Sequence, residues 1–175
     1  MKRITVKAYE IALVWKRGKL VDVFTEGKYW IGWFSEVKIF DITSPVPSFL
    51  SLPILLEYDW MTEFLQVEKV NDHEIGIELK DGLFNRVLQP GKYAYWRSPV
   101  HYEVITANLN DPFIPDFISR SILKRDAFPK SLLRVFVVES FQKGLLFLNG
   151  EYQKTIGPGT YFFWKTDPIV TIQTV

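Results

Sequence analysis

His73 and His101 are the only two histidines in the 175-residue chain. An imidazole serves proton transfer or metal ligation, but a metal centre needs three or four convergent donors. The remaining candidates are scattered carboxylates. Asp22, Glu26, Glu36 and Asp41 are spread along the first unit described below, and nothing in their spacing sets two of them across a scissile bond. The chain has no Cys, which removes disulfides, thiolate nucleophiles and thiolate metal ligands. No serine lies in a nucleophile-elbow pattern, and no glycine-rich phosphate loop occurs. Gly157-Pro158-Gly159 is short and locked by its proline, so it reads as a turn rather than a cradle. The expectation is a protein that is not an enzyme, with no catalytic residue, no metal ligand and no cofactor.

Two other groups of residues are suited to contact rather than catalysis. Trp30, Trp33, Trp96 and Trp164 lie in aromatic runs, where amphipathic rings fit either a core or an interface. Arg120, Lys124 and Arg125, with Lys130 and Arg134, make one connector locally basic, a pattern that fits either a solvated helix face or anionic headgroups. The chain as a whole is balanced, with 21 Lys+Arg against 20 Asp+Glu, so it lacks the basic excess of a nucleic-acid binder. No nucleic-acid partner is expected.

The elements that position these residues form a repeat. Gly18, Gly82 and Gly150 are spaced by 64 and 68 residues, and Gly27, Gly91 and Gly159 share both spacings. Each second glycine is followed two positions later by Tyr29, Tyr93 or Tyr161. Residues ahead of the first glycine alternate as in a half-buried strand: Leu13, Trp15, Arg17; Ile77, Leu79, Asp81; Leu145, Phe147, Asn149. Asp81-Gly82 and Asn149-Gly150 are favoured type I′ hairpin dipeptides, and Arg17-Gly18 is a weaker version. The return strand breaks alternation, which predicts a bulge. Glu26-Gly27, Pro90-Gly91 and Pro158-Gly159 then predict type II turns. Aromatic strands follow at Tyr29–Phe34, Tyr93–Trp96 and Tyr161–Trp164, and closing strands at Val37–Ile42, Tyr102–Thr106 and Ile169–Thr174.

Two connectors rich in proline join the units. The first holds a short helical candidate near Asp59–Leu65. The second suits one or two helical turns over Phe117–Arg125 with Asp116 as N-cap. Each connector runs into a β segment, Val67–Val70 or Val135–Val138. The reading is a mainly β (α+β) fold of three small antiparallel units, at residues 1–70, 71–138 and 139–175. A single unit has few strands and gains stability by stacking on its neighbour. Hydrophobic residues make up 47%, enough for a sizeable core. The first ten residues have no apolar run like that of a signal peptide, and the most apolar window, Pro45–Leu56, is too short to span a bilayer. A cytoplasmic location is expected, with any membrane contact peripheral at its inner face.

The third unit resembles the opening of the stomatin/prohibitin/flotillin (SPFH, or Band 7) domain. The residues carrying the resemblance are Gly144–Phe147, Asn149-Gly150, Thr155-Ile156, Pro158-Gly159-Thr160-Tyr161 and Ile169–Val175. With two earlier copies of the unit, the whole chain resembles the N-terminal region of bacterial slipin-type stomatin homologues. That resemblance implies a front-end module of a scaffold that assembles at or near a membrane. The expected function is therefore a non-enzymatic scaffold or protein-interaction module, with protein partners or self-association and peripheral contact with anionic membrane. The alternative is a regulatory β-module that binds a ligand or peptide.

Overall fold

The computed structural model describes residues 1–175. Its strands recur in three sets of five. The first set is β1 (Lys2–Val6), β2 (Glu10–Lys16), β3 (Lys19–Phe24), β4 (Gly27–Ile31) and β5 (Ser35–Asp41). The second is β6 (Leu65–Val70), β7 (Glu74–Lys80), β8 (Leu83–Leu88), β9 (Gly91–Trp96) and β10 (Tyr102–Asn108). The third is β11 (Leu133–Val138), β12 (Gly144–Leu148), β13 (Glu151–Ile156), β14 (Gly159–Trp164) and β15 (Val170–Thr174). In every set the first strand pairs with the fourth as a two-stranded ribbon, and the second strand lies between the third and fifth. The fold is mainly β, with repeated antiparallel units, as the glycine spacing predicts.

The hairpin turns recur residue for residue. Arg17, Asp81 and Asn149 have φ of 52°, 50° and 49°, and the glycines after them 77°, 76° and 82°. Both central residues are left-handed, which is the type I′ turn, and Arg17 adopts it despite its side chain. The predicted bulge is present in each return strand. Val14 pairs with Asp22 and Trp15 with Leu20, so Val21 is left unopposed. Asn85 and Gln153 occupy the same place in their copies. The second turn differs from expectation. Gly27, Gly91 and Gly159 have φ of 155°, 156° and 153°, far from the value near +80° of a type II turn. Each is instead the first residue of its strand, in an extended conformation that only glycine adopts readily.

Other elements also differ from the sequence reading. The N-terminal segment, given no element there, is β1, which closes the first ribbon against β4. Trp33 and Phe34 are not in a strand: β4 ends at Ile31, and Ser35 N–H donates to the Gly32 carbonyl in a tight turn. The segment near Asp59 is a 3-10 turn ending at Glu63, and Leu65 already belongs to β6. A further helix, α1, spans Leu52–Leu55. In the second connector, α2 spans Arg120–Lys124 and is capped by Ser119, not Asp116; the Ser119 side chain accepts from Ser121 N–H. Boundaries at residues 70 and 138 fall after the strand that opens each copy, because β6 and β11 pair as β1 does.

The chain divides into two compact units, Met1–Glu68 with Lys92–His101, and Lys69–Gly91 with Tyr102–Val175. The first unit has a core of Ile11, Leu13 and Leu20 from the hairpin sheet, Leu50, Leu55 and Met61 from the connector, Leu65 of β6 and Trp96 of β9. The second unit repeats that plan. Ile75, Ile77, Leu79 and Phe84 pack under Ile114, Ile118, Leu123 and Phe128, with Leu133, Phe162 and Trp164 completing the cluster. Each such side chain contributes roughly 1.5–3 kcal/mol on burial. Both cores thus take sheet and connector from one copy and ribbon from the next. A smaller cluster in the second unit joins the other face of the third sheet, through Leu146 and Val170, to Phe163. That closure needs a glycine. A Cβ on Gly144 would stand 2.8 Å from Ile156 Cγ1 and 2.9 Å from Val138 Cγ2.

Candidate interaction surfaces

The residues suited to chemistry do not converge. His73 precedes β7 and His101 precedes β10, and both are exposed. Those strands pair antiparallel, so the two imidazoles flank opposite ends of one ladder. No three His, Cys, Asp or Glu side chains gather in a group fit to hold a metal. Asp22, Glu26, Glu36 and Asp41 are exposed. Asp22 accepts from Val23 N–H, Glu36 lies 3.2 Å from Lys38 Nζ, and Asp41 accepts from the backbone and hydroxyl of Thr43 at 2.7 Å. Three of the four are thus engaged in local turn and strand contacts.

One carboxylate is buried, and the sequence reading did not single it out. Glu78 in β7 is wholly inaccessible and receives Arg86 Nε at 3.1 Å on both oxygens and Nη2 at 3.0 Å on Oε2, with Asn85 donating to Oε1. Its counterparts in the other copies are Val14 and Leu146, so aligning the three copies was the signal that exposes it. The pair is an ion pair set into a strand, not an acid–base couple open to substrate.

The basic connector residues have separate fates. Arg120, at the start of α2, sits 4.0 Å from Asp116. Lys124 and Arg125 are exposed. Lys130 is exposed as well, and its Nζ donates at 2.8 Å to the carbonyls of Leu123 and Arg125, so it also holds the end of α2.

The four tryptophans separate into two classes. Trp96 and Trp164, which the sequence allows as either core or contact residues, are 2% and 0% exposed and form part of the cores. They lie at equivalent places in β9 and β14, and the packing there needs their full ring area. Trp30 and Trp33 are exposed, and Met1 and Phe34 join them in the same ribbon and its loop. Arg3 pairs with Trp30 and Thr5 with Lys28, so these four residues share the outward face of the β1–β4 ribbon. Ile31 and Val6 point the other way and are buried. Position by position, Trp30 corresponds to Ala94 and Phe162: it is 65% exposed, where each of those is 8%. Met1 was not singled out, because its exposure does not show in sequence.

A groove of about 640 Å³ lies in the second unit, between the second connector and the third copy. Its lining combines apolar Phe113, Leu146, Ile156 and Phe162 with charged Asp111, Asp116, Arg120 and Lys154. Phe113 meets Phe163 edge-on at 5.7 Å and forms an isolated bridge with it. A lining of apolar and oppositely charged side chains suits an amphipathic ligand.

Fold and surfaces together define a mainly β repeat protein whose notable exposed chemistry is apolar and aromatic. No family model matches the chain, and no curated protein or solved structure matches it. No helix is long and apolar enough to cross a membrane.

Proposed function

We propose that this chain is a non-enzymatic scaffold of the slipin/SPFH type that works by presenting apolar faces to partners. The observation that carries this reading is the outward face of β1–β4. Trp30 stands in solvent there, 65% exposed, and Met1 just before β1 and Trp33 and Phe34 in the turn after β4 are 71%, 71% and 94% exposed. Large apolar side chains held in water are costly, and several along one segment mark a contact surface. Arg3 and Lys28 beside it add cations that suit anionic headgroups as well as protein carboxylates. The experiment pairs sedimentation velocity of the chain alone with flotation on phosphatidylserine vesicles, for wild type and for Trp30→Ser/Trp33→Ser. Self-association or flotation is expected in the wild type and weakened in the variant. A chain that neither associates nor floats sinks the reading.

The groove supports a second reading, a module that binds an extended peptide through its apolar and charged lining. Fluorescence polarisation against a peptide library tests it. Hits that bind Ile156→Asp as tightly as wild type would place the binding elsewhere.

A further inference from the structure

Within residues 1–175 the first ribbon and the third hairpin sheet are covered differently from their counterparts. In the first core Leu65 and Trp96, from the outward face of the β6–β9 ribbon, complete a hairpin sheet of the preceding copy. In the second core Leu133, Phe162 and Trp164, from the β11–β14 ribbon, do the same. Within residues 1–175 the β1–β4 ribbon has no preceding sheet to complete. The sheet of β12, β13 and β15 likewise has no connector or ribbon over one face. That face carries Leu145, Phe147 and Tyr152, the counterparts of Leu13, Trp15 and Leu20 in the first copy. Leu20 is 4% exposed and Phe84 9%, but Tyr152 is 56% exposed.

We propose that the outward face of β1–β4 docks on this open sheet face of a second copy of the chain, head to tail. The proposal rests on the scaffold reading and names its partner. The chain itself supplies the template, since ribbon-on-sheet packing of this kind occurs in both cores. The first ribbon carries its large ring two residues earlier on that face: Trp30 is there, and Gly32 stands where the other copies have Trp96 and Trp164. Trp30, Trp33 and Phe34 stand where the second copy has Ala94, Arg97 and Ser98. On the receiving face Phe147 and Tyr152 form an edge-on pair at 5.9 Å, an aromatic platform for those rings. Lys143, Thr155 and Gln173 replace Ile75, Val87 and Ile105 of the second copy, which keeps the free face soluble. The contact is therefore reversible rather than obligate. Because the two faces differ, it is heterologous, and repeated addition gives a closed ring or an open polymer.

Sedimentation velocity over a concentration series, on the full chain, tests this. Wild type should associate as concentration rises. A head variant, Trp30→Ser/Phe34→Ser, and a tail variant, Tyr152→Glu, should each weaken association about tenfold or more, as loss of a central aromatic does. Mixed in equal amounts, the two variants keep one intact head and one intact tail, so they should form 1:1 dimers and stop there. Thr5→Glu, on the same outward face, is a second head variant should the first lose cooperative unfolding. A wild-type chain that is monomeric throughout overturns the proposal. So does association that neither variant weakens, or a mixture no better than its components, which would mean that each face pairs with itself. A monomeric chain that floats with phosphatidylserine vesicles overturns head-to-tail docking and leaves the scaffold reading standing. Failure of both assays overturns both.

Discussion

Replacing Arg86 by methionine should destabilise the protein by about 2 kcal/mol, half of the roughly 4 kcal/mol that two unit charges about 4 Å apart gain at an effective dielectric near 20. The halving follows from burial: Glu78 is 0% exposed, but Arg86 is 50% exposed and screened by solvent. Removing the guanidinium leaves a buried carboxylate with the Asn85 amide but without the contacts at 3.0 and 3.1 Å. Glu78→Leu places there the residue that the third copy carries as Leu146. The double variant Glu78→Leu/Arg86→Met should lie within about 1 kcal/mol of wild type, because apolar replacement of a buried pair is often neutral. The double-mutant cycle should then give a coupling of about 2 kcal/mol between the two sites. Urea unfolding followed by tryptophan fluorescence reads these differences as midpoint shifts at constant slope. An Arg86→Met variant within about 0.5 kcal/mol of wild type, the range of an ordinary surface change, would refute the reasoning.

The tryptophans should divide in the same assay. Trp164→Ala should cost about 3–5 kcal/mol through the cavity it leaves, and Trp30→Ala at dilute protein should stay within about 0.5 kcal/mol. Equal losses at the two positions would contradict their burial. Arg17→Asn should stabilise by up to about 1 kcal/mol, since asparagine tolerates the left-handed conformation that Arg17 holds at φ 52°. A lowered melting temperature for Arg17→Asn would show that its side chain does more than occupy the turn.

Turn chemistry made the hairpins legible. Asp81-Gly82 and Asn149-Gly150 can satisfy a two-residue turn in few ways, and their spacing carried the assignment to Arg17-Gly18. The bulges at Val21, Asn85 and Gln153 were legible for a similar reason: a side-chain pattern that slips by one residue needs an extra residue in one strand. The Pro-Gly pairs misled because their composition fits a type II turn, whereas the partner strand draws each glycine into an extended ladder. β1 was not legible because Lys2–Val6 is short and charged, and its strand state depends on pairing with β4. Helix capping failed locally too. Asp116 and Ser119 are both good caps, and packing of Ile118 and Leu123 into the core decides in favour of Ser119. For the candidate surfaces, residue type could not tell Trp30 from Trp96. What separates them is whether another copy covers the ribbon, a fact of tertiary packing.

The offset between copy and core bears on how such a chain can be lengthened or cut. The stretch that duplicates, 64 or 68 residues, is not the stretch that folds. Leu65 and Trp96 complete a core begun by Ile11 and Leu13. A cut at the edge of a copy would therefore split a core rather than release a module. Inserting one more copy would do the reverse. Each new join would bring a ribbon onto a sheet and create a core there, so genetic duplication alone would extend the array without any segment having to fold by itself.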